Sequence, residues 1–220
     1  MKDYVVGKAW KQEKYQHILE EGFRLFAEKG IEQVTIPEVA EASGVGRATL
    51  FRYFPSKTEL VIAISTWKWR EYILWHNSLL SEEEMKRLTG AQYLRFFLDA
   101  FLDLYRDRRD LLRFNYNFNS YLRYAAGTDE QKQPYYKLTE FLGEQFHELY
   151  ERGARDGTLK TDIPETTMYS SIFHIMLAAV TRYAVGLAVL LKESEPEKEL
   201  VLLTEMMMAR FTNVSDHKEE

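Results

Sequence analysis

The chain of 220 residues contains no cysteine and only five prolines. Without cysteine, this sequence cannot form a disulfide framework or a thiolate metal site, and the composition suits a reducing compartment. The small number of prolines, together with 45% hydrophobic and 14% aromatic residues, favours a packed chain over a disordered one. The length allows one large domain or two small ones.

Long apolar runs are also scarce. The first residues, MKDYVVGKAWKQEKYQ, hold no apolar run of signal-peptide length. The longest apolar stretch, residues 172–191, is about as long as a membrane span, but it includes His174 and Arg182. A charged side chain near the centre of a bilayer is costly. We therefore expect a buried helix at this position, a cytoplasmic protein and no membrane partner.

Catalytic and metal-binding motifs are absent from this sequence. Its five histidines are scattered, with no HExxH pair and no carboxylate at ligand spacing to another histidine. It has neither a glycine-rich phosphate loop nor a G-x-S-x-G motif. His147 and His174 are interpreted as core or surface groups rather than metal ligands. The sequence predicts a protein that is not an enzyme and that uses no cofactor.

The net charge of −5 is unevenly distributed along the chain. Residues 1–60 contain nine Lys or Arg and nine Asp or Glu, so the whole deficit lies beyond them. Residues 42–58 carry three cations, Arg47, Arg52 and Lys57, and no carboxylate. Because salt confines the field of a charge to roughly 8–10 Å, this segment can bind phosphate although the chain is acidic. The pattern permits nucleic-acid binding without establishing it.

The N-terminal part of the chain contains start and stop signals for several helices. Residues 8–29 have apolar side chains at the 3–4 spacing of a helix, and Gly30 suits its C-terminal end. Thr35 is the predicted N-cap of a short second helix. Pro37 suits the first helical turn, and Glu38 completes a capping box.

A second short helix is predicted over residues 47–54, after a turn that contains two glycines. Pro55 ends it, and Ser56 is the predicted cap of a longer helix. Two short helices joined by a glycine-containing turn, after a longer packing helix, make a helix-turn-helix. Such a unit binds DNA in some proteins and is purely structural in others, and the pattern alone leaves both open.

The stretch TIPEVAEASGVGRATLFRYFPSKTEL, residues 35–60, resembles the DNA-binding half of the tetracycline-repressor (TetR) family of bacterial regulators. GFRLFAEKG, residues 22–30, fits the same resemblance, which covers roughly residues 10–62. Beyond residue 62 the family varies, and the resemblance implies only an all-helical structure of similar length. The resemblance implies a ligand-responsive regulator, usually a repressor, that binds a palindromic operator in double-stranded DNA as a homodimer.

In a helix-turn-helix, the N-terminal residues of the second helix face the base edges, and these are Arg47, Ala48 and Thr49 here. Arg47 can pair with guanine O6 and N7 or merely contact a phosphate, and both readings stay open. Ala48 and the Thr49 methyl group can touch a thymine methyl, and Thr49 can instead bond a phosphate. Leu50 and Phe54, four residues apart, are predicted to be core.

Contacts to the DNA backbone are predicted at helix ends and from aromatic side chains. Lys57 lies in the first turn of the long helix, where its charge and the free N–H groups would converge on one phosphate. Thr35 has a similar place, either as a plain N-cap or also as a phosphate contact. The family resemblance places Phe51 and Tyr53 at the DNA backbone.

Two positions depart from the family pattern. Gly46 stands where a serine is usual, and Phe51 stands where a tyrosine is common, so two hydroxyl groups are missing. Each loss removes at most a phosphate hydrogen bond. We therefore expect weaker DNA affinity with the same docking mode.

Beyond residue 89 the helical spacing continues. The segment FNYNFNSY, residues 114–121, alternates with the period of a strand, but its flanks favour helix and a single strand would have no partner, so we predict helix. Aromatic walls with few polar groups suit either a small-molecule pocket or an ordinary aromatic core. The residues predicted to bind a ligand are Phe97, Phe114, Asn117, Phe118, Tyr121, Phe146, Phe173 and His174.

The predicted helix over residues 165–191 is apolar on two faces, which indicates burial from both sides. One face would pack on the core and the other on a second copy of the chain, with the last helix completing a four-helix interface. In the resembling family the last two helices form the dimer. The predicted interface residues are Met176, Ala179, Tyr183, Leu187, Val201 and Met206.

The sequence thus predicts an all-α protein of about nine helices. Residues 1–56 form a three-helix DNA-binding domain, 57–79 a connecting helix, 80–212 a helical effector-binding and dimerisation domain, and 213–220 a disordered tail. The predicted partners are operator DNA, a second copy of the chain and a small, mostly apolar or aromatic effector of unknown identity. The alternative is a helical small-molecule-binding or scaffold protein without DNA binding.

Overall fold

The computed structural model describes residues 2–125, 128–188 and 195–213, with side chains from residue 12 onward. Within these ranges the chain is all-α, as predicted, and an isolated antiparallel bridge joins Leu159 to Thr212. Among the described residues, no helix combines the length and the apolar character needed to cross a membrane. The helices are α1 (Lys2–Lys29), α2 (Ile36–Ala42), α3 (Arg47–Tyr53), α4 (Lys57–Asn77), α5 (Glu82–Arg87), α6 (Gly90–Asp107), α7 (Arg109–Tyr124), α8 (Asp129–Asp156), α9 (Glu165–Ala184) and α10 (Pro196–Phe211).

The chain divides into two compact units. Unit 1 contains Met1–Tyr72 and Arg113–Leu138, and unit 2 contains Ile73–Leu112 and Thr139–Glu220. The helices α4, α7 and α8 each contribute residues to both units. Unit 1 therefore includes residues that the sequence analysis places in the C-terminal domain, and the predicted domain boundaries stay predictions.

The core of unit 1 forms along the apolar stripe of α1. Ile18 and Phe26 are fully buried, α1 packs on α2, and α2 packs on α3. From α7, the ring of Phe114 lies 5.4 Å from that of Phe23 and stacks on Phe118 at 6.0 Å, measured between ring centroids. The alternating segment of residues 114–121 is thus helical, as predicted, and its buried phenylalanines face the α1 side of the core.

The polar residues of this segment also have a place. Asn115 is buried, and its Oδ1 accepts a hydrogen bond of 3.3 Å from the Trp69 indole N–H. A buried amide without a partner is costly, so this bond makes burial of Asn115 tolerable. Asn119 is exposed and Asn117 is half-buried. The strand-like alternation therefore reflects a helix with polar groups on two sides rather than an extended chain.

In unit 2, α6, α9 and α10 pack on one another. Two ion pairs join α6 to α10 at the surface: Arg95 with Glu205 at 2.7 Å, and Arg106 with Glu197 at 2.8 Å. The start of α6 approaches α8 so closely that a Cβ added at Gly90 would lie 2.0 Å from the Gly153 Cα. Only glycine fits such a contact between two backbones.

His76 lies in unit 2 at the end of α4 and is only 5% exposed. Its ring stacks on Phe96, and its Nε2 lies 3.0 Å from the Phe96 carbonyl oxygen. Its Nδ1 lies 3.5 Å from a carboxylate oxygen of Asp103. Burial lowers the pKa of His76, and it outweighs the opposing effects of the Phe96 carbonyl, Asp103 and Asp99. The buried imidazole is therefore held in its neutral form near neutral pH.

Several helix boundaries and one helix differ from the prediction. The first helix begins at Lys2 rather than residue 8. The short α5 was not predicted, although Ser81 and Glu84 form a capping box that marks its start in the sequence. It brings the described helices to ten, one more than expected.

The largest correction concerns α9, which ends at Ala184 and not at residue 191. Gly186 adopts a positive φ of 73°, and the Leu187 N–H donates to the Arg182 carbonyl at 3.0 Å. This left-handed turn stops the helix. Leu187 consequently follows the helix rather than belonging to it. Residues 189–191 of the predicted helix, and residues 214–220 of the predicted tail, lie outside the described residues.

Candidate nucleic-acid interface

The start of α2 is fixed by the predicted capping box. The Thr35 N–H donates to Glu38 Oε2 at 2.6 Å, and the Glu38 N–H donates to Thr35 Oγ1 at 3.4 Å. These bonds from the backbone and hydroxyl of Thr35 lower the pKa of Glu38. Because the Thr35 hydroxyl itself donates to Glu38 at 2.7 Å, its proton is already engaged. The N-cap role is confirmed, and a phosphate contact from Thr35 stays a prediction.

The turn between α2 and α3 depends on glycine. Gly44 has a positive φ of 62°, a conformation that residues with a Cβ rarely adopt. Gly46 is the N-cap of α3, and its carbonyl accepts hydrogen bonds from the N–H groups of Thr49 and Leu50 at 2.9 and 3.1 Å. No side chain caps this helix, as expected from the missing serine.

The helix α3 has a buried face and an exposed face. Leu50 is fully buried and Phe54, at the C-cap, is 3% exposed, so both are core as predicted. On the opposite side, Arg47 and Ala48 are exposed, and Phe51 has 46% of its surface in contact with solvent. We refer to the side of α3 formed by Arg47, Ala48, Thr49, Phe51 and Arg52 as the α3 outer face.

The α3 outer face is positively charged. Among the residues that the structure describes, no carboxylate lies within ion-pair distance of Arg47 or Arg52. The Arg52 guanidinium lies 5.9 Å from the ring centroid of Tyr53. Sequence reasoning did not assign Arg52 to the site, although it belongs to the acid-free segment and its spacing places it beside Ala48. Two unpaired cations beside an exposed aromatic ring suit contact with phosphate.

Tyr53 is anchored from the inside of the unit. Its ring meets that of Tyr15 on α1 edge to face, with centroids 5.9 Å apart, and Tyr15 also lies 5.2 Å from Phe54. This packing leaves Tyr53 half-buried. The helix end is thereby attached to α1 through three aromatic rings, which fixes the orientation of the α3 outer face.

Lys57 has partners inside the chain. Its Nζ donates to the Glu32 carbonyl at 3.4 Å and lies 5.7 Å from the ring centroid of Tyr121. Burial lowers its pKa. Next to it, the hydroxyl groups of Thr58 and Tyr121 are hydrogen-bonded at 3.0 Å. The predicted phosphate contact by Lys57 would require Nζ to exchange its long bond to Glu32 for the phosphate.

The predicted ligand-binding residues fall into both units. Phe114, Asn117, Phe118 and Tyr121 lie in unit 1, whereas Phe97, Phe146, Phe173 and His174 lie in unit 2. In unit 2, Phe146 is fully buried, its ring lies 5.5 Å from Phe97, and Tyr169 connects it to Phe173. His174 is exposed on α9. The structure thus brings three of these residues together in an aromatic cluster of unit 2 and leaves His174 at its surface.

The predicted dimer residues need one correction. Met176 is fully buried inside unit 2, so it cannot lie on the surface of the chain. Ala179 and Val201 are half-buried, and the half-buried Tyr183 donates a short hydrogen bond to Glu199. The large apolar side chains that α9 and α10 do expose are Ile175, Leu202 and Met206, with exposures of 44, 61 and 59%.

The sequence matches known regulators in its N-terminal part. Residues 18–64 match the profile described as "Bacterial regulatory proteins, tetR family". The HTH-type transcriptional repressor AcnR of Corynebacterium efficiens is 27% identical over 176 residues, which cover 78% of this chain and 82% of AcnR. The HTH-type transcriptional regulator AcrR of Shigella flexneri is 39% identical over 49 residues, or 22% of this chain and 23% of AcrR.

Solved structures share the fold over nearly the whole chain. The transcriptional regulator FadR of Bacillus subtilis, crystallised in complex with stearoyl-CoA, is similar with a TM-score of 0.70 and 17% identity, covering 89% of this chain and 98% of FadR. A TetR transcription regulator from Haloarcula marismortui gives a TM-score of 0.70 and 18% identity, covering 92% of this chain and 100% of that chain. At such identities the likeness is one of fold.

Proposed function

Because the chain is a member of the TetR family of bacterial transcriptional regulators, we propose that α3 reads operator DNA as one half of a homodimer. The observation that carries this proposal is the α3 outer face. It combines two cations, Arg47 and Arg52, that have no carboxylate partner within the described ranges with an exposed aromatic ring, Phe51. Leu50 and Phe54 hold the helix from behind.

The outer face divides between base readout and backbone contact. Arg47, Ala48 and Thr49 form the first turn of α3, the part that meets base edges when such a helix enters the major groove. Arg47 would pair with guanine O6 and N7, a contact worth about 1–3 kcal/mol of discrimination when bidentate. Phe51 and Arg52 lie one turn further along and would contact the sugar-phosphate backbone.

The contact between the two subunits of the dimer would be made by α9 and α10. Their exposed Ile175, Leu202 and Met206 are large apolar side chains that a second copy can cover. A two-fold dimer presents two recognition helices to half-sites about one helical turn apart, or a multiple of it. This geometry corresponds to a palindromic operator, which fits the predicted role of a cytoplasmic repressor.

A small effector would act by favouring one state of the dimer. The aromatic cluster of unit 2, with Phe97, Phe146 and Phe173, offers apolar walls for such a molecule. The helix α4 contributes residues to both units, and its first turn follows the recognition helix directly. Ligand and DNA would be coupled if each prefers a different arrangement of this helix.

The test is selection of bound fragments from random duplex DNA, followed by affinity measurements on the selected site. We expect Arg47→Ala to weaken binding about 5- to 150-fold and to relax specificity at one position. Arg52→Ala should weaken the binding of all DNA sequences about equally. It should also reduce the slope of log affinity against log salt concentration by about 0.9, which corresponds to the loss of one phosphate contact. Arg87→Ala, at an exposed site of α5 in unit 2, is the matched control.

Unchanged affinity in both α3 variants at matched salt would overturn the proposal. It would favour the alternative from the sequence, a helical small-molecule-binding or scaffold protein. The same selection also gives the half-site spacing, because two enriched motifs at a fixed distance are expected only from a dimer.

A further inference from the structure

Unit 1 contains a groove of about 790 Å³ that none of the predicted ligand residues lines. It lies between α1, α4 and the first turns of α8. We propose that this groove binds an organic cation with an aromatic or otherwise apolar body. Its lining residues are Tyr15, Leu19, Phe54, Glu59, Ile62, Ala63, Thr66, Trp67, Arg70, Thr128, Glu130, Gln131 and Pro134.

The groove changes in chemistry along α4. Its α4 residues recur every three or four positions, so they lie on one face of the helix over successive turns. Glu59 is at one end and Arg70 at the other, about 16 Å apart at 1.5 Å per residue. The apolar part of the groove, with Ala63 and Trp67, lies between them. A ligand can therefore have its charge at one end and its apolar body in the middle.

The end near Glu59 is acidic. Glu59 Oε1 accepts a hydrogen bond of 2.8 Å from the Gln131 amide, and Glu130 lines the groove beside it. Within the described residues, no Lys, Arg or His lies within ion-pair distance of either carboxylate. Among the described lining residues the one cation is Arg70, about three turns of helix away. Two carboxylates that have no cationic partner in the described part of the chain attract a positive group to this end.

Three aromatic side chains line the groove. Tyr15 and Phe54 lie with ring centroids 5.2 Å apart, and Trp67, whose ring centroid lies 4.0 Å from Lys68 Nζ, belongs to the same lining. Aromatic faces attract organic cations through the ring quadrupole, and they also provide apolar area on which an aromatic group can pack. Because Lys68 already lies over the Trp67 ring, a ligand would use the Tyr15 and Phe54 rings, and these together with the two carboxylates favour an aromatic cation over a neutral apolar molecule or an anion.

The position of the groove links it to the DNA-binding element. Phe54 is the C-cap of α3, and Glu59 is the third residue of α4. A ligand in the groove would contact both ends of the connection between these helices. Its effect on DNA affinity rests on the proposed regulatory function, whereas the binding itself does not.

The experiment is calorimetric titration of the full chain, without DNA, with two probes of equal size and opposite charge. Tetraphenylphosphonium is the aromatic cation and tetraphenylborate is its anionic isostere. We expect tetraphenylphosphonium to bind at least tenfold more tightly. Glu59→Gln and Glu130→Gln keep the side-chain shape but remove a charge, and each should weaken binding about three- to tenfold.

Two further variants separate this groove from unspecific effects. Ala63→Phe fills the middle of the groove and should abolish binding, while circular dichroism checks that the variant is folded. Glu144→Gln removes the same charge from an exposed site of α8 in unit 2 and should leave affinity unchanged. If Ala63→Phe does not fold, the two glutamine variants still decide the question.

Equal affinity for the two probes, or equal weakening by Glu144→Gln, would overturn the proposal. Tighter binding of tetraphenylborate would also overturn it and would point to an anion at Arg70. A chain that binds the cation but no operator DNA would refute the proposed function while leaving the ligand site intact, so the two failures are distinguishable.

Discussion

The two faces of α3 give a sharp prediction, because adjacent residues should have opposite effects when truncated. Leu50 is fully buried, and a buried leucine replaced by alanine loses about 2–5 kcal/mol of unfolding free energy. Phe51 is 46% exposed, so about half of its side chain is already in water. We expect Phe51→Ala to lower the unfolding free energy by only about 1 kcal/mol or less.

DNA affinity should follow the opposite order. Phe51→Ala removes a ring from the α3 outer face, and we expect about five- to tenfold weaker binding of the selected operator, or about 1–1.4 kcal/mol. Leu50→Ala should weaken binding only as far as it unfolds the protein. The assays are urea denaturation followed by circular dichroism, and fluorescence anisotropy of a labelled operator at low temperature.

A third variant adds the hydroxyl group that Phe51 lacks, and it should strengthen DNA binding rather than weaken it. Phe51→Tyr adds a group that can donate a hydrogen bond to phosphate, and a net hydrogen bond contributes about 0.5–1.5 kcal/mol. We therefore expect stronger operator binding at an unchanged urea midpoint. The assignment of the two faces is refuted if Phe51→Ala shifts the midpoint as much as Leu50→Ala, or if it leaves DNA affinity intact.

The remaining predictions concern assembly and pH. Leu202→Glu should give monomers in sedimentation equilibrium, whereas Phe141→Glu, an equally apolar exposed site on α8, should not; an intact Leu202→Glu dimer would contradict the α9–α10 interface. Because burial lowers the pKa of His76, the unfolded chain binds more protons below about pH 6.5, and stability should fall there. His76→Gln should reduce this fall between pH 7.5 and 5.5, measured by urea midpoints. The effect of His147 on stability has the opposite sign. Glu165 raises the pKa of His147, so the stability that this pair contributes is lost as the pH rises.

The helix-turn-helix could be predicted from the sequence because each of its boundaries carries its own local chemistry. Thr35 and Glu38 start α2 through a capping box, and Gly44 supplies the positive φ of the turn. Ser56 Oγ accepts a hydrogen bond of 3.2 Å from the Glu59 N–H and so begins α4. These signals act over three or four residues, which is why sequence reasoning located them without knowledge of the packing.

The faces of α9 could not be predicted in the same way. Apolar residues surround most of this helix, so their period does not indicate which side meets the core. Sequence reasoning placed Met176 at the dimer interface, but Met176 is buried and its neighbour Ile175 is exposed. One residue along a helix turns the side chain by about 100°, and only the position of α6 and α10 selects the buried side.

The aromatic residues illustrate a second limit. Phe114 and Phe146 are both fully buried and both have aromatic neighbours, so the sequence offered one pocket for them. The structure assigns Phe114 to unit 1 and Phe146 to unit 2. Helices that contribute to two units carry two cores along their length, and composition cannot reveal where one core ends and the next begins.

The same division changes how the DNA-binding element is understood. Its core includes Phe114 from α7, and Trp69 of α4 is bonded to Asn115. The first turn of α4 is held by Tyr121 through Thr58 and by Gln131 through Glu59. The residues that orient the α3 outer face therefore come from two distant parts of the chain. A displacement of the end of α7 or of the start of α8 would act on the first turn of α4 through the Tyr121–Thr58 and Gln131–Glu59 hydrogen bonds.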